Sequence, residues 1–168
     1  MEFVVLSIGS NLGEREKFIS AMELELSSLL IEVKKSSLME TEPVGMSGSQ
    51  LAFLNRLIAG YYNGNPHQLL ESCLAIESRL GRKRLVSGSG KTKNSRTADV
   101  DILIFGNLEI NCADITVPHP QIVNRRFCLE GLCQIDSGLV VSGTGKSARQ
   151  LCEEMNAKIK AQKIIFMS

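Results

Sequence analysis

Short apolar runs and amphipathic stretches alternate along the chain, which predicts alternating strands and helices. Residues 3–9 and 51–62 are typical of buried strands, and residues 31–40 are consistent with another strand between them. Asn11 and Glu14, three residues apart, are expected to form a capping box at the start of a first helix. That helix is predicted to end near residue 30, because apolar side chains recur at helical spacing at Phe18, Met22, Leu26 and Leu29.

The second predicted helix has signals at both ends as well as an apolar stripe. Asn65 is a suitable cap, Pro66 suits the first helical position, and Gly81 is a natural terminator. The stripe that this helix is expected to bury comprises Leu69, Cys73, Ile76 and Leu80.

A fourth strand is predicted at residues 97–106, and shorter helices are predicted at residues 125–135 and 147–155. The order strand, helix, strand, strand, helix, strand predicts an α+β fold with the ferredoxin-like βαββαβ arrangement. The sheet is expected to be mostly antiparallel, with helices on one face and loops over the other. The chain length suggests that residues 1–168 form a single domain.

Composition narrows the class of protein. The net charge is +1, so no overall field attracts nucleic acid or an anionic membrane. We find no apolar window long enough to cross a membrane, and the N-terminal segment lacks the features of a signal peptide. The cysteines are odd in number and form no CxxC pair, so we expect them to be reduced and mostly in the core of a cytoplasmic protein.

The predicted strand at residues 97–106 contains two carboxylates, Asp99 and Asp101. Alternation places the two aspartates on one face with Leu103 and Phe105, and their Cα atoms are expected to lie about 6.5–7 Å apart. The opposite face carries Ala98, Val100, Ile102 and Ile104. Like charges at this separation repel unless a cation or a proton lies between them, and magnesium prefers such oxygen ligands. Ion pairing with Arg82, Arg84 or Arg96 is the alternative.

A basic segment rich in glycine and serine lies directly before this strand. The guanidinium groups of its arginines can each bind two phosphate oxygens. A basic loop beside a metal site is therefore a candidate for a lid that closes over a polyphosphate. A solvated loop is the alternative. The charged residues are Arg82, Lys83, Arg84, Lys91, Lys93 and Arg96.

Three further polar residues are candidates. Asn55 lies in an apolar strand, where its amide could read the edge of a heterocycle or bond to a loop backbone. Glu77 lies beside the apolar stripe of the second helix and could equally face solvent. His119 lies between two prolines and could donate to a phosphate oxygen or be structural.

Several of these segments occur together in one known family. The stretches "SIGSNLG", "TEPVG", "FLN", "IESRLGRKR", "RTADVDILIFGN" and "VPHPQIVNRRF" span residues 7–127 in the expected order. The chain thereby resembles the 6-hydroxymethyl-7,8-dihydropterin pyrophosphokinases of folate biosynthesis. The resemblance implies a ferredoxin-like fold and transfer of the β,γ-diphosphate of ATP to the hydroxymethyl group of the dihydropterin, with release of AMP.

The resemblance also implies roles for individual residues. Asp99 and Asp101 would hold two magnesium ions, with Arg82 and Arg96 beside them at the reaction centre. The pterin would contact Pro43, Val44, Gly45, Phe53, Asn55 and Phe127. The nucleotide and its phosphates would contact Glu77, Arg84, Lys91, Lys93, Ile102, Thr116, His119 and Arg125. We further expect Asp101 to help deprotonate the substrate hydroxyl.

The chain departs from the family pattern at the lid. It contains no tryptophan, and Lys93 occupies the place of the tryptophan that covers the pterin in the family, with Lys91 as the nearest substitute for a preceding arginine. A catalytically weak pterin- or nucleotide-binding relative is therefore one alternative. A ferredoxin-like nucleic-acid-binding module is disfavoured, since only 5% of the chain is aromatic. We expect a monomer whose partners are ATP and the dihydropterin.

Overall fold

The structure is a computed structural model that describes residues 1–42, 51–82 and 97–167. The strands of the main sheet are β1 (Glu2–Ser10), β2 (Leu30–Lys35), β3 (Leu38–Thr41), β4 (Phe53–Tyr62), β5 (Asp99–Phe105) and β10 (Ile164–Met167). Short strand pairs are formed by β6 (Ile110–Asn111) with β7 (Thr116–Val117), and by β8 (Val140–Val141) with β9 (Lys146–Ser147). The helices are α1 (Arg15–Leu29), α2 (Pro66–Arg79), α3 (Arg126–Asp136), α4 (Ala148–Glu153) and α5 (Ala157–Lys160).

The main sheet has the strand order β10-β3-β4-β1-β5, with β2 also paired to β4. The strand pairs within it are antiparallel. When β2 and β3 are taken as one bent segment, the order is that of a ferredoxin-like βαββαβ unit. The predicted α+β fold with a mostly antiparallel sheet is therefore confirmed.

Helices cover both faces of the sheet, which differs from the predicted arrangement of helices on one face and loops on the other. Helices α1 and α2 bury Met22, Leu26 and Leu69 against one face. Helix α3 covers part of the second face with an apolar stripe that includes Leu129 and Leu132. Because α3 is apolar along one side, that side is stable only when it packs against another apolar surface, and the second face of the sheet provides one.

The second helix begins and ends as its sequence predicts. Asn65 forms a reciprocal capping box with Gln68, Pro66 is the first helical residue, and Gly81 has φ +84° just beyond the end. The predicted capping box of α1 is wrong: Glu14 is the N-cap and makes no side-chain cap bond, while Asn11 is fully buried. Because Asn11 is buried inside the fold, its side chain does not cap the backbone N–H groups at the start of α1.

The strand predicted at residues 31–40 is interrupted at Ser36. Its backbone N–H donates to the Leu57 carbonyl at 3.0 Å, and its hydroxyl accepts from the Leu57 N–H at 2.9 Å. These bonds join the segment between β2 and β3 to the middle of β4. The bend separates the outer part of the sheet, β10 and β3, from β2.

Strand β5 contains a bulge that changes which face its last residues occupy. Leu6 pairs with Ile102, but Val5 pairs with Ile104, so Leu103 is the extra residue. Beyond the bulge, Ile104 packs on the α3 side and Phe105 on the α1–α2 side. The predicted faces of Ile104 and Phe105 are therefore wrong, while those of Asp99 and Asp101 precede the bulge and are unaffected.

In the described ranges, no helix has both the length and the apolar character needed to cross a membrane.

Candidate active site

A row of polar residues crosses one end of the sheet on the α3 side. Gly9 of β1 lies directly opposite Asn55 of β4 and Asp99 of β5, and Ser7 lies opposite Asp101. Paired residues in an antiparallel sheet point to the same face, so this register brings the predicted amide and carboxylates together. A Cβ atom at Gly9 would lie 2.8 Å from Oδ1 of Asn55, so the amide fits only beside a glycine.

The Asn55 amide is oriented by its neighbour on β3. Its Nδ2 atom donates to Oγ1 of Thr41 at 2.8 Å, and the Asn55 residue is only 6% exposed. The partner of the Nδ2 atom is thus a side chain, and not the loop backbone that was one of the two alternatives for Asn55. Thr41 was not singled out from the sequence, although it begins the "TEPVG" stretch.

Two aromatic residues predicted to contact the pterin flank this region of the sheet. Phe53 is the first residue of β4 and pairs with Thr41. Phe127 lies in the first turn of α3 and is buried with the apolar cluster on that face. Phe127 therefore lies on the same side of the sheet as the polar row.

Arg82 links the second helix to the acidic strand. Its Nη1 atom lies 2.6 Å from Oδ1 of Asp99 and also contacts Oε1 of Glu77. The ion-pairing alternative considered for the two aspartates is therefore realised between Arg82 and Asp99. The side chains of Arg82 and Asp99 are each 16% exposed, so solvent screens this pair less than a surface pair.

Glu77 is almost completely buried, with 2% of its surface exposed. Besides contacting Arg82, its Oε1 atom accepts a hydrogen bond from the Val100 backbone N–H at 2.8 Å. The residue predicted to contact the nucleotide thus also fixes the start of β5 against α2. The solvent-facing alternative for Glu77 is wrong.

A cavity of about 650 Å³ lies beside β5, between α2 and the segment that contains β6 and β7. Its apolar wall includes Leu70, Leu74, Ile102 and Ile115, and its polar residues include Glu77, Arg82, Asp101, Thr116 and His119. The cavity is large enough for a nucleotide. Ile102, Thr116 and His119 were predicted from the resemblance, whereas Leu70 and Ile115 look like ordinary core residues in the sequence.

His119 is held by two backbone contacts at the cavity wall. Its N–H donates to the Leu103 carbonyl at 2.8 Å, and its Nδ1 atom accepts from the Gln121 N–H at 3.2 Å. Burial and the charge of Arg125 lower the pKa of His119, against a smaller opposing effect of Asp99. Because Nδ1 accepts a hydrogen bond, the neutral imidazole carries its proton on Nε2 and can donate from that atom.

The acidic pair fits a magnesium site better than a site for a softer metal. Within the described ranges, no group of three or more His, Cys, Asp or Glu side chains is placed to hold a metal. Magnesium is commonly bound through one or two carboxylates and completed by substrate phosphates and water. Asp99 and Asp101, with the cavity beside them, match that donor set.

Seven predicted site residues lie outside the described residues. They are Pro43, Val44, Gly45, Arg84, Lys91, Lys93 and Arg96.

Relatives of known name match the chain over most of its length. A family model described as 7,8-dihydro-6-hydroxymethylpterin-pyrophosphokinase (HPPK) matches residues 5–137. The chain is 37% identical over 132 residues to the 2-amino-4-hydroxy-6-hydroxymethyldihydropteridine pyrophosphokinase of Bacillus subtilis, covering 77% of this chain and 75% of that protein. It is 35% identical over 155 residues to the folic acid synthesis protein fol1 of Pneumocystis carinii, covering 92% of this chain but only 20% of that protein.

Solved structures share the fold. A Plasmodium falciparum HPPK-DHPS structure with pteroate superposes with a TM-score of 0.69 at 15% identity, covering 95% of this chain and 45% of that chain. The chain thus spans about a fifth of the Pneumocystis protein and less than half of the Plasmodium chain. Because the family model spans most of the chain and the Bacillus relative matches over three quarters of its length, the chain belongs to the 6-hydroxymethyl-7,8-dihydropterin pyrophosphokinase family.

Proposed function

We propose that this protein transfers the β,γ-diphosphate of ATP to the hydroxymethyl group of 6-hydroxymethyl-7,8-dihydropterin in a magnesium-dependent reaction. The observation that carries the proposal is the position of the acidic pair. Asp101 borders the cavity, and Asp99 shares a register row with Asn55. Carboxylates between a nucleotide-sized cavity and a heterocycle-binding amide are where a phosphoryl-transfer centre would be expected.

In this proposal the nucleotide occupies the cavity. Its base packs against the apolar wall, including Leu74 and Ile102, and its triphosphate extends towards the acidic pair. His119 donates from Nε2 to a phosphate oxygen. Arg82 releases Asp99, to which it is paired in the structure, and binds phosphate oxygens instead. A planar guanidinium can bind two phosphate oxygens at once.

The dihydropterin lies over the polar row on the α3 side. Asn55 bonds the edge of the heterocycle, with its amide oriented by Thr41. Phe127 stacks on the ring, and Phe53 lies near it. The backbone contacts assigned to residues 43–45 and the phosphate contacts assigned to Arg84, Lys91, Lys93, Arg96 and Arg125 rest on the family resemblance.

The chemical step joins the hydroxymethyl oxygen to the β phosphorus. The bond between that phosphorus and the oxygen bridging to the α phosphate breaks, and AMP leaves with the bond's electron pair. Asp101 accepts the hydroxyl proton. Magnesium, for which we propose two ions held by Asp99 and Asp101, would offset the negative charge on the triphosphate when bound.

AMP release from MgATP, with and without 6-hydroxymethyl-7,8-dihydropterin, tests the function. Pterin-dependent AMP formation, together with the pterin diphosphate as product, is the expected result. ATP binding without AMP formation in a folded protein would instead support the weak-relative alternative. AMP formation that does not depend on the pterin would contradict the proposed acceptor.

We also propose that the protein acts as a cytoplasmic monomer. All five cysteines are free in the structure, which agrees with a reducing compartment. Light scattering of the purified protein checks the monomer, and fractionation of cells checks the compartment.

A further inference from the structure

Arg15, the first residue of α1, connects strand β3 with the residue that directly precedes β4. Arg15 has no role in the family resemblance and does not line the cavity. Its Nη1 atom donates to the Ala52 carbonyl at 2.6 Å, and its Nη2 atom pairs with Oε2 of Glu40 at 3.0 Å. The side chains of Arg15 and Glu40 are partly buried, with 29% and 27% of their surface exposed. A guanidinium with two directed bonds of this kind fixes two separate chain segments relative to each other.

The two partners of Arg15 adjoin the residues proposed to bind the pterin. Ala52 directly precedes Phe53, and Glu40 directly precedes Thr41, which accepts the hydrogen bond from Asn55. The β3–β4 ladder comprises only the pairs from Met39 to Thr41. Arg15 therefore bridges the end of a short ladder that contains both Thr41 and Asn55.

We propose that Arg15 is a positioning residue for the pterin. It acts by holding the ends of β3 and β4 so that Thr41 orients the Asn55 amide. The inference rests on the proposed function, because it assigns Arg15 to the pterin half of the site. The nucleotide half is built from α2, β5 and the β6–β7 segment, whereas the guanidinium of Arg15 bonds to Ala52 and Glu40.

Kinetics of Arg15→Met and Arg15→Lys, with both substrates varied, test this role. We expect Arg15→Met to raise the KM for the pterin about tenfold, the scale of one lost charge-assisted bond, and to change the KM for ATP less than twofold. Arg15→Lys keeps the charge beside Glu40 but loses the forked geometry, so an intermediate rise in the pterin KM is expected.

Lys17→Met is the matched control. Lys17 lies in the same helical turn and pairs with Glu14 at the surface, with 76% of its side chain exposed. Its loss is expected to leave both KM values unchanged. Equal changes in the two KM values for the Arg15 variants, or none, would overturn the inference while the wild-type protein remained active.

Failure of the proposed function gives a different result, since the wild-type protein would then form no pterin-dependent AMP. Should Arg15→Met not fold, Arg15→Lys decides the matter: an unchanged pterin KM in that variant contradicts the positioning role.

A second inference concerns Cys133 of α3 and Cys152 of α4. Neither cysteine has a role in the proposed reaction. Their Sγ atoms lie 2.9 Å apart, and both residues are half-buried where the two helices pack together. A disulfide has an S–S bond of about 2.05 Å, so bond formation requires an approach of only about 0.9 Å.

We infer that Cys133 and Cys152 form an oxidation site that a low-molecular-weight disulfide converts to an intramolecular disulfide. One thiolate attacks the reagent disulfide and releases a reagent thiol. The second cysteine then attacks the mixed disulfide and releases another, so two protein thiols are oxidised and one reagent disulfide is reduced. Burial, followed by the hydrogen bond with Cys133, raises the pKa of Cys152 to about 12, so the reaction is slow at neutral pH and faster in alkaline solution.

Thiol counting and intact-mass analysis after incubation with glutathione disulfide test the site. Wild-type protein is expected to lose three thiols, one to glutathionylation of exposed Cys112 and two to an internal bond that a dithiol reductant reverses. Cys133→Ser is expected not to form the internal bond. Exposed Cys112 serves as the internal control, because its glutathionylation shows that the reagent reacts. Glutathionylated Cys112 without a Cys133–Cys152 link would overturn the inference.

Discussion

Asp101 carries the most demanding role proposed for a single residue. Replacing it with asparagine removes the proton acceptor and one proposed magnesium ligand while keeping the size of the side chain. We expect the Asp101→Asn variant to lose about 1,000-fold in kcat, within the range of general-base contributions. Steady-state AMP release measures this loss.

Asp114→Asn is the control for Asp101→Asn, because Asp114 also borders the cavity but lies at its exposed rim. Activity within a few-fold of the wild type is expected for that variant. A loss smaller than tenfold in Asp101→Asn would contradict the proposed role.

His119 gives the protein a pH dependence of stability. Its folded-state pKa is lowered by burial first and by Arg125 second, so the unfolded chain takes up the proton before the folded chain does. This contribution to stability is complete above the unfolded pKa of about 6.5 and is lost as the pH falls below it. Urea denaturation at pH 7.5 and pH 5.5 measures the loss.

His119→Gln removes the titrating group, so its free energy of unfolding is expected to fall less between these two pH values than that of the wild type. An identical fall in both proteins would show that other groups cause the pH dependence.

The interface between α3 and the sheet depends on a glycine. A Cβ atom at Gly131 would lie 2.6 Å from Cδ1 and 2.7 Å from Cγ of Leu57 on β4. We expect Gly131→Ala to destabilise the fold by about 1–3 kcal/mol, the usual cost of overpacking a core. Thermal or urea denaturation checks this value.

Gly138→Ala provides the comparison, because the nearest atom to a Cβ there lies at an ordinary 3.4 Å. That variant should be close to the wild type in stability. Equal stability of the two variants would mean that α3 shifts to accept the added methyl group.

At the level of elements, the ends and the apolar stripe of α2 were more predictable than the faces of β5. The cap at Asn65 and the stripe of α2 depend on residues close together in sequence, and both are present. The bulge at Leu103 depends on how β5 pairs with β1, a contact between distant segments. The same holds for Ser36, whose bonds to Leu57 divide one predicted strand into two.

At the scale of the whole molecule, nucleotide binding should appear as a change in stability. A ligand at about 100 times its Kd stabilises a folded protein by about 2.7 kcal/mol. We expect ATP with magnesium to raise the melting temperature more than ATP with a chelator. The variant with Asp99→Asn and Asp101→Asn should show the same small shift under both conditions, and a retained magnesium effect would contradict the assigned ligands.

The candidate site was predictable to the extent that its residues lie in recognisable motifs. Asp99, Asp101, Asn55 and His119 belong to such motifs, and the fold places the first three on one face at the same end of the sheet. Thr41, Leu70 and Ile115 were missed because their site contacts arise only from the packing of separate elements. Arg15 was missed for the same reason, since both of its partners lie more than twenty residues away.

The contact of Arg82 with both Glu77 and Asp99 has a consequence for the order of events in binding. A carboxylate of low exposure is costly to keep ionised unless a positive charge stands beside it, and Arg82 supplies that charge before any substrate arrives. In the proposed reaction, the entry of a metal ion with its nucleotide would replace one counter-ion of Asp99 with another. In the proposed reaction, Arg82 holds the acidic strand in place between turnovers, and once released from Asp99 it is available to the phosphates as they arrive.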